Sequence, residues 1–304
     1  MRILIAGGSG LIGTALTRSL LADGHPVWVL TRSPEKSHLP PGAAPLGWDG
    51  RTMAGWADTL SRVDAVVNLA GETLARWPWT KARKQHLWDS RVLAGRALTQ
   101  AVQAASPRPQ VLIQASGVNF YGPHRQELVT EGDGPGSDFL SRLCVDWEAS
   151  TRPVETLGVR RAILRTAVVF APKGGILPLM LLPVRLFAGG PLGTGRQGLA
   201  WIHLADEVAA IRFLLENQNA HGPFNLTAPD PISNAAFTRT AARLLRRPNW
   251  LPAPAFALRL LLGEMSTLVL DGANLRPARL QALGFTFRFA SLEDALKDLL
   301  GKKD

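Results

Sequence analysis

The chain has 304 residues, of which 46% are apolar and 19% are charged, a composition typical of a folded globular protein. This length exceeds one ordinary domain and falls short of two, which favours a main domain with a smaller appendage. The net charge of +10 is spread over scattered Lys and Arg residues without a recognisable nucleic-acid module, so no nucleic-acid partner is expected.

The chain begins with a predicted strand, a glycine turn and a predicted helix. Residues 2–6 form a short apolar run suited to a buried strand, and residues 11–21 have the spacing of an amphipathic helix. Gly7, Gly10 and Gly13 follow a G-x-x-G-x-x-G pattern. Gly7 permits a tight turn, Gly10 lets a pyrophosphate approach the backbone, and Gly13 lets the helix pack closely on the strand. The pattern in this context predicts a dinucleotide-binding turn.

The first turn of this helix is predicted to contact the coenzyme through its backbone. Leu11, Ile12 and Gly13 would present N–H groups to the phosphates at the positive end of the helix dipole. The alternative is a glycine-rich turn that binds nothing, and the correct flanking strand and helix argue against it.

The end of the second predicted strand, residues 27–30, indicates which coenzyme binds. An NAD site usually has Asp or Glu at this place to bind the ribose 2′-OH. Here Thr31, Arg32 and Ser33 follow the strand instead. Arg32 could bind a 2′-phosphate through its planar guanidinium, with hydroxyl groups beside it and the charge of Lys36 nearby. The sequence therefore favours NADP(H), with a solvated loop arginine as the alternative.

Strand-like and helical segments continue to alternate through the first half of the chain. The predicted strands are residues 64–69, 111–115 and 161–170, and the predicted helices are residues 79–105 and 137–157. This alternation predicts a Rossmann-type doubly wound α/β fold, with a parallel sheet covered by helices on both faces. Residues 1–170 are assigned to this NADP-binding domain.

The pattern changes after residue 170, where Pro and Gly break the chain into short pieces. A helix at 201–216 and a strand at 224–226 are predicted next. Residues 171–247 are assigned to a smaller, mostly helical substrate-side region, with sheet-completing returns near 201–228. Residues 248–304 are assigned to a small C-terminal domain, with helices at 255–262 and 292–300. Ser291 and Asp294 resemble a capping box at the start of the last helix.

Ligands of a doubly wound sheet bind outside the carboxyl ends of its strands. The residues after three predicted strands are therefore expected to contact the cofactor. They are Leu69, Ala70 and Gly71 after one strand, Ser116 after the next, and Thr166 and Val168 after the third. The six His and one Cys are scattered without the spacing of metal ligands, so no metal site is expected.

Several motifs resemble, in order, the extended short-chain dehydrogenase/reductase superfamily. They are GGSGLIG at 7–13, NLAG at 68–71, SGVNFYG at 116–122, LRTAVVF at 164–170 and WIHLADEVA at 201–209. The stretch PARLQALGFTFRFASLEDALKDLL at 277–300 is similar to an epimerase/dehydratase-like family with a small extra C-terminal domain. The resemblance implies an NADP-dependent oxidoreductase or epimerase that acts on a hydroxyl or carbonyl group.

The proton-transfer pair that this resemblance implies is missing. The superfamily uses Tyr-x-x-x-Lys, in which the phenol transfers a proton and the lysine lowers the phenol pKa. The one tyrosine is Tyr121, and Arg125 stands four residues after it. If Glu148 is the usual acidic residue of its helix, the tyrosine position falls on Leu140 and the lysine position on Cys144.

Three residues are weak catalytic candidates. Ser116 stands one place before Gly117, where the assisting serine of the superfamily would fall. Tyr121 could act as a substitute acid, although its counterpart in the superfamily is usually structural. His203 could donate a proton, or it could order the loop before its helix.

Two other polar side chains have alternative roles. Arg91 stands where the superfamily has a polar residue on the cofactor side, so it is predicted to meet the diphosphate or a substrate anion. Cys144 has no positioned base in the sequence, which favours a buried structural thiol over a nucleophile.

A cytoplasmic protein without a membrane partner is expected. One cysteine cannot form an internal disulfide, which fits a reducing compartment. The first predicted strand starts at residue 2 and leaves no room for a signal peptide. The most apolar later runs, residues 176–188 and 251–263, are broken by Pro and Arg and are shorter than the roughly 20 residues of a membrane span.

Two functional interpretations follow. The first is an NADP(H)-dependent reductase or epimerase with a rearranged acid–base set and a small-molecule substrate. The nicotinamide would lie near Ser116 and residues 166–169, and the substrate beneath residues 172–196, where Arg185 and Arg196 could anchor an anionic group. The second is a protein that binds NADP(H) without turnover and passes the redox state to a partner as a sensor or regulator. Absence of the Tyr-Lys pair supports the second.

Overall fold

The computed structural model describes residues 1–123 and 127–302, apart from the side chain of Lys36. The first elements in chain order are β1 (Ile3–Ala6), α1 (Leu11–Ala22), β2 (Val27–Thr31), β3 (Ala44–Gly47), β4 (Ala65–Asn68), α2 (Lys81–Ala104), β5 (Val111–Gly117), β6 (Leu128–Val129), α3 (Phe139–Ser150) and β7 (Arg160–Thr166). The remaining elements are β8 (Val168–Phe170), α4 (Leu177–Arg185), β9 (Gly198–Leu199), β10 (Trp201–His203), α5 (Leu204–Glu216), β11 (Gly222–Leu226), β12 (Ile232–Ser233), α6 (Asn234–Leu245), α7 (Ala255–Leu262), α8 (Thr267–Leu270), β13 (Asn274–Leu275), α9 (Ala278–Ala282) and α10 (Leu292–Leu299).

Seven parallel strands form the central sheet in the order β11-β7-β5-β4-β1-β2-β3. Helices α1 and α5 pack on one face, and α2, with α3 packed beside it, covers the other. The chain therefore has the predicted Rossmann-type doubly wound α/β fold. Because all strands are parallel, their carboxyl ends lie at one edge, where the loops after β1, β2 and β4 meet.

Both faces of the sheet are buried, and this explains the uninterrupted apolar strands of the sequence. In β1, Ile3 and Ile5 point to the core shared with α1 and α5. Leu4 and Ala6, which alternate with them, point to the core shared with α2. All four residues are apolar and at most 1% exposed. A one-residue shift of register would exchange the two faces of β1, and both faces would still be apolar.

Two strand predictions are corrected by the structure. The sequence analysis missed β3, an edge strand with Pro45, because proline removes a backbone donor and weakens a strand pattern. The predicted strand at 161–170 is divided at Ala167. β7 belongs to the central sheet, whereas β8 leaves it and pairs with β10.

Three predicted helices have different bounds. The helix predicted at 201–216 begins at Leu204, because residues 201–203 form β10. The helix predicted at 137–157 ends at Ser150, and a 3-10 helix that contains Pro153 follows it. The helix predicted at 79–105 begins at Lys81, where the side chain of Thr80 accepts a hydrogen bond from the Arg83 N–H.

The residues after 247 fold back over the earlier parts of the chain. Gly189 and Leu192 form isolated β-bridges with Asn249 and Ala253. Further along, β13 pairs with β6, α9 lies against β11, and α10 lies against α6. The predicted cap at the last helix is confirmed, because the Ser291 side chain accepts a hydrogen bond from the Asp294 N–H.

The longest helix, α2 with 24 residues, carries several charged side chains. Within residues 1–123 and 127–302, no helix combines the length and the apolar character needed to cross a membrane.

Candidate functional site

A cavity of about 670 Å³ opens at the carboxyl edge of the sheet, beside the ends of β1, β2 and β4. Eight residues that the sequence analysis predicts as cofactor contacts line it. They are Gly7, Gly10, Thr31, Arg32, Ser33, Leu69, Ala70 and Gly71. The fold therefore brings three loops that are distant in the sequence around one space, which is large enough for much of a dinucleotide.

The glycine turn is tightly packed against neighbouring backbone. Gly7 has a φ of 80°, and a Cβ there would stand 2.6 Å from the Leu69 carbonyl oxygen. A Cβ at Gly13 would stand 2.3 Å from the Gly7 carbonyl oxygen. These contacts allow only glycine at both positions, as the sequence pattern predicts for a strand and a helix that meet closely.

Gly10 forms the boundary between the turn and α1. Its backbone is extended, with φ −77° and ψ 177°, and it has no side chain to cap the helix. The first N–H groups of α1, on Leu11, Ile12 and Gly13, therefore meet no capping side chain from this position. Such a helix start, directly beside a cavity, suits an anionic ligand.

Charged side chains from the loops after β2 and β4 and from the start of α2 meet beside the cavity. The Arg32 side chain is 74% exposed, and its guanidinium lies 3.5 Å from a carboxylate oxygen of Glu72. Arg83 approaches the same carboxylate at 3.6 Å. Arg32 is thus mobile enough to turn toward a bound phosphate, with only one exposed ion pair to give up. The side chain of Lys36, predicted to add charge, lies outside the described part of the structure.

The loop after β3 lines the cavity and was missed by the sequence analysis. It contributes Trp48, Asp49 and Arg51, opposite the residues that follow β2. The Asp49 carboxylate accepts hydrogen bonds from the backbone N–H groups of Thr52 and Arg51, which hold its pKa below the ordinary value. The Asp-Gly pair at 49–50 is a turn signal that could have located this loop.

Arg91 lies behind the cavity wall rather than in it. Its guanidinium is buried, donates hydrogen bonds to the carbonyl oxygens of Glu72 and Leu87, and lies 5.0 Å from the Trp147 ring. Burial lowers the pKa of Arg91 to about 10. A Cβ at Gly71 would stand 3.2 Å from this guanidinium. The geometry therefore does not support the predicted contact with a diphosphate. Arg91 instead packs against the loop after β4 and hydrogen-bonds to it.

Ser116 and Tyr121 belong to a buried polar network. The Ser116 hydroxyl donates to Glu148 at 2.7 Å, and Arg165 donates to both carboxylate oxygens of Glu148 at 3.0 and 3.1 Å. Arg165 also donates to the Tyr121 hydroxyl at 3.0 Å, which donates to Asn225 at 2.6 Å. The sequence analysis did not single out Arg165, whose partners are remote in the sequence.

This network does not favour Tyr121 as a substitute acid. Tyr121 is 1% exposed. It lines neither the large cavity nor the smaller cavity near β5 and β8. Burial raises the pKa of Tyr121 to about 12, which makes it a poor proton donor near neutral pH. Arg125, four residues later, lies outside the described residues.

A second cavity, of about 120 Å³, lies near the ends of β5 and β8. Leu140, at the predicted tyrosine position, lines it together with Asn119, Asp138 and Val168. Cys144, at the predicted lysine position, is 6% exposed, and burial raises the pKa of its thiol to about 11. The two positions where the superfamily has its proton-transfer pair are therefore occupied by an apolar side chain and by a buried, unreactive thiol.

The cover of the second cavity differs from the sequence prediction. The structure assigns this role to residues 198–200 and 267–273, not to residues 172–196. Arg185 and Arg196 are exposed and line neither cavity, so their predicted role as anchors for an anionic group is not supported. Asp138 and Asp271 line the second cavity, and no described lining residue is a Lys or Arg.

His203 has a structural position. Its Nδ1 accepts a hydrogen bond from the Ala205 N–H and caps α5, and its Nε2 lies 3.3 Å from Asp298 of α10. Its ring packs against Phe289 in a tilted arrangement, with 3.9 Å between ring centroids, and burial lowers the pKa of His203. The structure thus matches the ordering role rather than proton donation, and His203 ties the last helix to α5.

Thr166 is hydrogen-bonded to a buried carboxylic acid that was not identified from the sequence. The Thr166 hydroxyl donates at 2.9 Å to one oxygen of Glu207, which is 0% exposed. The second oxygen has no hydrogen-bond partner among residues 1–123 and 127–302. Burial raises the pKa of Glu207 from its ordinary value of 4.5 to about 8, so this acid is mostly neutral at pH 7.

The contribution of Glu207 to the free energy of unfolding is expected to fall as the pH rises. Between pH 4.5 and pH 8 the unfolded chain ionises Glu207 while the folded protein keeps it protonated, so its contribution to stability falls across this window. We expect the unfolding free energy of Glu207→Gln, relative to the parent, to increase from pH 5 to pH 8 by on the order of 3 kcal/mol. Urea unfolding at both pH values measures this difference.

Glu216→Gln is the matched control, since Glu216 lies on the same helix and is exposed. Its unfolding free energy relative to the parent should be independent of pH. A flat difference for Glu207→Gln would show that the carboxylate ionises normally in the folded protein.

The described residues contain no cluster of three or more His, Cys, Asp or Glu suited to holding a metal ion. The large cavity at this edge of the sheet offers backbone N–H donors, the arginines Arg32 and Arg51, several hydroxyl groups, His86 and the carboxylates of Asp49, Glu72 and Asp89.

Comparison with known families gives two matches along the chain. Residues 3–227 match the model described as NAD dependent epimerase/dehydratase family, and residues 253–299 match a domain of unknown function, DUF1731. The chain is 37% identical over 313 residues to the epimerase family protein YfhF of Bacillus subtilis (strain 168), with 100% of this chain and 99% of that protein covered.

Two solved structures are similar over almost the whole chain. The human epimerase family protein SDR39U1 (isoform2) with NADPH has a TM-score of 0.88 and 32% identity, and 100% of both chains is covered. A nucleoside-diphosphate sugar epimerase from Corynebacterium glutamicum has a TM-score of 0.80 and 32% identity, covering 99% of this chain and 58% of that one.

Proposed function

The chain belongs to the NAD dependent epimerase/dehydratase family, and we propose on this basis that it is an NADP(H)-dependent oxidoreductase or epimerase. The observation that carries the proposal is Arg32, which lines the large cavity at the end of β2, where an NAD site has a carboxylate. The NADPH in the structure of the human relative supports the same coenzyme.

The residues around the large cavity fit such a coenzyme. The turn at Gly7 and Gly10 and the start of α1 would bind the pyrophosphate through backbone N–H groups. Arg32, flanked by the hydroxyl groups of Thr31 and Ser33, would bind the 2′-phosphate. When bound, the nicotinamide would supply or accept a hydride.

We assign the substrate to the second cavity, beside Asn119, Leu140 and Val168. A small molecule with a hydroxyl or carbonyl group fits its volume and its mixed lining. The chain's own contribution would be to orient this group and to exclude water. The cytoplasm is the proposed compartment, since its reducing conditions suit the single buried thiol of Cys144.

Arg32→Ala tests the coenzyme assignment. Loss of a charge-assisted bond of about 1.5 to 3 kcal/mol should weaken NADPH binding by about 10- to 100-fold. NADH binding should change little, because NADH has no 2′-phosphate for Arg32 to contact. Calorimetric titration of parent and variant with both coenzymes gives the four dissociation constants.

Arg18→Ala is the matched control, since Arg18 is exposed on α1 and does not line the cavity. It should bind both coenzymes as the parent does. An unchanged ratio of NADPH to NADH affinity in Arg32→Ala would defeat the NADP(H) assignment.

A second function has its own support. Leu140 and Cys144 leave the expected proton-transfer positions without an acid or a base, which favours a protein that binds NADP(H) without turnover and signals its redox state. The purified protein with NADPH and a panel of carbonyl metabolites separates the two functions. Loss of absorbance near 340 nm supports the enzyme, whereas tight binding with no turnover across the panel supports the sensor.

A further inference from the structure

Large apolar side chains are exposed on two helices in the second half of the chain, α4 and α7. On α4, Leu179 is 59% exposed and Leu182 is 48% exposed. On α7, Phe256 is 73% exposed, Leu260 is 88% exposed and Leu261 is 68% exposed. None of the eight residues of α7 is buried. Within the described residues, α7 is therefore only partly covered by the rest of the chain, and large exposed apolar patches mark sites of interaction.

The segment after α4 pairs with the segment before α7 through the β-bridges Gly189–Asn249 and Leu192–Ala253, and this pairing connects the two sets of exposed side chains. Leu186 and Phe187, directly after α4, are 66% and 53% exposed. Trp250, which is 66% exposed, donates from its indole N–H to the Phe187 carbonyl oxygen at 3.0 Å. Leu251 continues the surface toward α7, with its N–H bonded to the Gly189 carbonyl oxygen. We call the exposed apolar residues of 179–187 and 250–261 the apolar face.

Basic residues surround the apolar face, and acidic residues are absent from it. Segments 177–196 and 244–263 contain no Asp or Glu in the sequence. Arg185, Arg246, Arg247 and Arg259 are exposed in these segments, and none of the four forms a salt bridge within the described residues. Arg247 lies over the Phe187 ring at 4.1 Å, directly at the edge of the face.

We propose that the apolar face binds peripherally to an anionic phospholipid surface. Exposed Leu, Phe and Trp side chains with arginines beside them are the combination that inserts into the boundary of acyl chains and headgroups. The unpaired arginines complement the negative surface potential of anionic lipids. With eight residues, α7 is only about 12 Å long and would lie on the membrane rather than span it.

A membrane surface explains the charge better than a second copy of the chain does. A two-fold dimer brings the same patch of both subunits together, so two sets of arginines would share one interface and their like charges would repel each other. An anionic surface removes this repulsion. The sequence analysis expects no membrane partner because no segment can span a bilayer, and a surface contact needs no spanning segment.

Sedimentation with lipid vesicles tests the proposal on the full-length protein. Vesicles of phosphatidylglycerol with phosphatidylcholine should bind the protein, and vesicles of phosphatidylcholine alone should bind it at least about tenfold more weakly. Raising the salt concentration should release the protein, since exposed charges are screened. Leu260→Ser and Arg259→Glu should each reduce binding by about tenfold.

Matched controls and a second measurement keep the outcomes distinct. Val145→Ser removes an exposed apolar side chain from α3, and Arg18→Glu reverses a charge on α1, so both should bind vesicles as the parent does. Circular dichroism checks that each variant folds. Equal binding to both vesicle types, or no binding to either, would overturn the proposal. Concentration-dependent dimers in gel filtration that Leu260→Ser abolishes, without vesicle binding, would assign the face to a second copy.

Discussion

Replacing Arg165 with methionine is expected to lower the free energy of unfolding by about 3 to 5 kcal/mol. Arg165 is 5% exposed, and its guanidinium donates to both carboxylate oxygens of Glu148. The substitution leaves that carboxylate buried without its positive partner. The side chain also lies 3.4 Å from the centroid of the Phe120 ring, a contact that methionine keeps only in part.

The double variant Glu148→Leu/Arg165→Met separates this penalty from ordinary loss of packing. Removing both charges eliminates the unpaired group, so the double variant should be more stable than either single variant. Urea unfolding of the parent, both single variants and the double variant gives a coupling free energy of about 2 kcal/mol or more.

The exposed pair of Arg243 and Glu293 provides the comparison. Its two side chains are 62% and 39% exposed, and Arg243→Met should change stability little because water already solvates both charges. Equal losses from Arg165→Met and Arg243→Met would contradict the proposed energetic role of burial.

Gly10→Ala is expected to remove most of the affinity for NADPH while the protein stays folded. The backbone of Gly10 is extended, which alanine adopts freely, and the new Cβ would stand 3.3 Å from the Gly7 carbonyl oxygen. The methyl group would occupy the approach of the pyrophosphate to the first N–H groups of α1. Each charge-assisted bond lost costs about 1.5 to 3 kcal/mol, which weakens binding by about 10- to 100-fold.

Calorimetric titration with NADPH measures this loss, and NADH binding should fall equally because both coenzymes share the pyrophosphate. Gly132→Ala is the control, since its Cβ would have one neighbour, Thr130 Oγ1 at 3.9 Å, and Gly132 does not line the large cavity. Parent-like affinity in a folded Gly10→Ala protein would place the pyrophosphate elsewhere.

The two coenzyme variants are informative together. Arg32→Ala should affect NADPH alone, whereas Gly10→Ala should affect both coenzymes. This difference is expected because, under the proposed coenzyme assignment, Arg32 would contact the 2′-phosphate that distinguishes the coenzymes, and the glycine turn would contact the pyrophosphate that they share.

Local patterns predicted many of the residues that line the large cavity. Gly7, Gly10 and Gly13 act within one strand-turn-helix unit, so their spacing already contains the geometry. The absence of a carboxylate after β2 is likewise visible in the sequence, as is the cap at Ser291. These features depend on residues a few positions apart, whose relative positions the backbone conformation fixes.

Such local patterns could not predict contacts between residues that are far apart in the sequence. Arg165 and Tyr121, which hydrogen-bond to each other, are separated by 44 positions in the sequence. The sequence analysis left Tyr121 as a catalytic candidate because a polar residue after a strand is expected at the sheet edge. Only the packed structure shows that its hydroxyl belongs to a buried network. The loop at residues 48–51 was missed for a related reason, since its strand, β3, has a weak local signal.

The sequence by itself determined the doubly wound fold, the glycine turn between β1 and α1, and the presence of Arg32 in place of a carboxylate after β2. The tertiary structure decided which polar groups are buried, which residues cover the second cavity, and that α7 keeps its apolar side chains exposed. The physical reason is that periodicity and turn chemistry act over a few residues. Desolvation depends on every chain segment that packs around a group, however far apart in sequence.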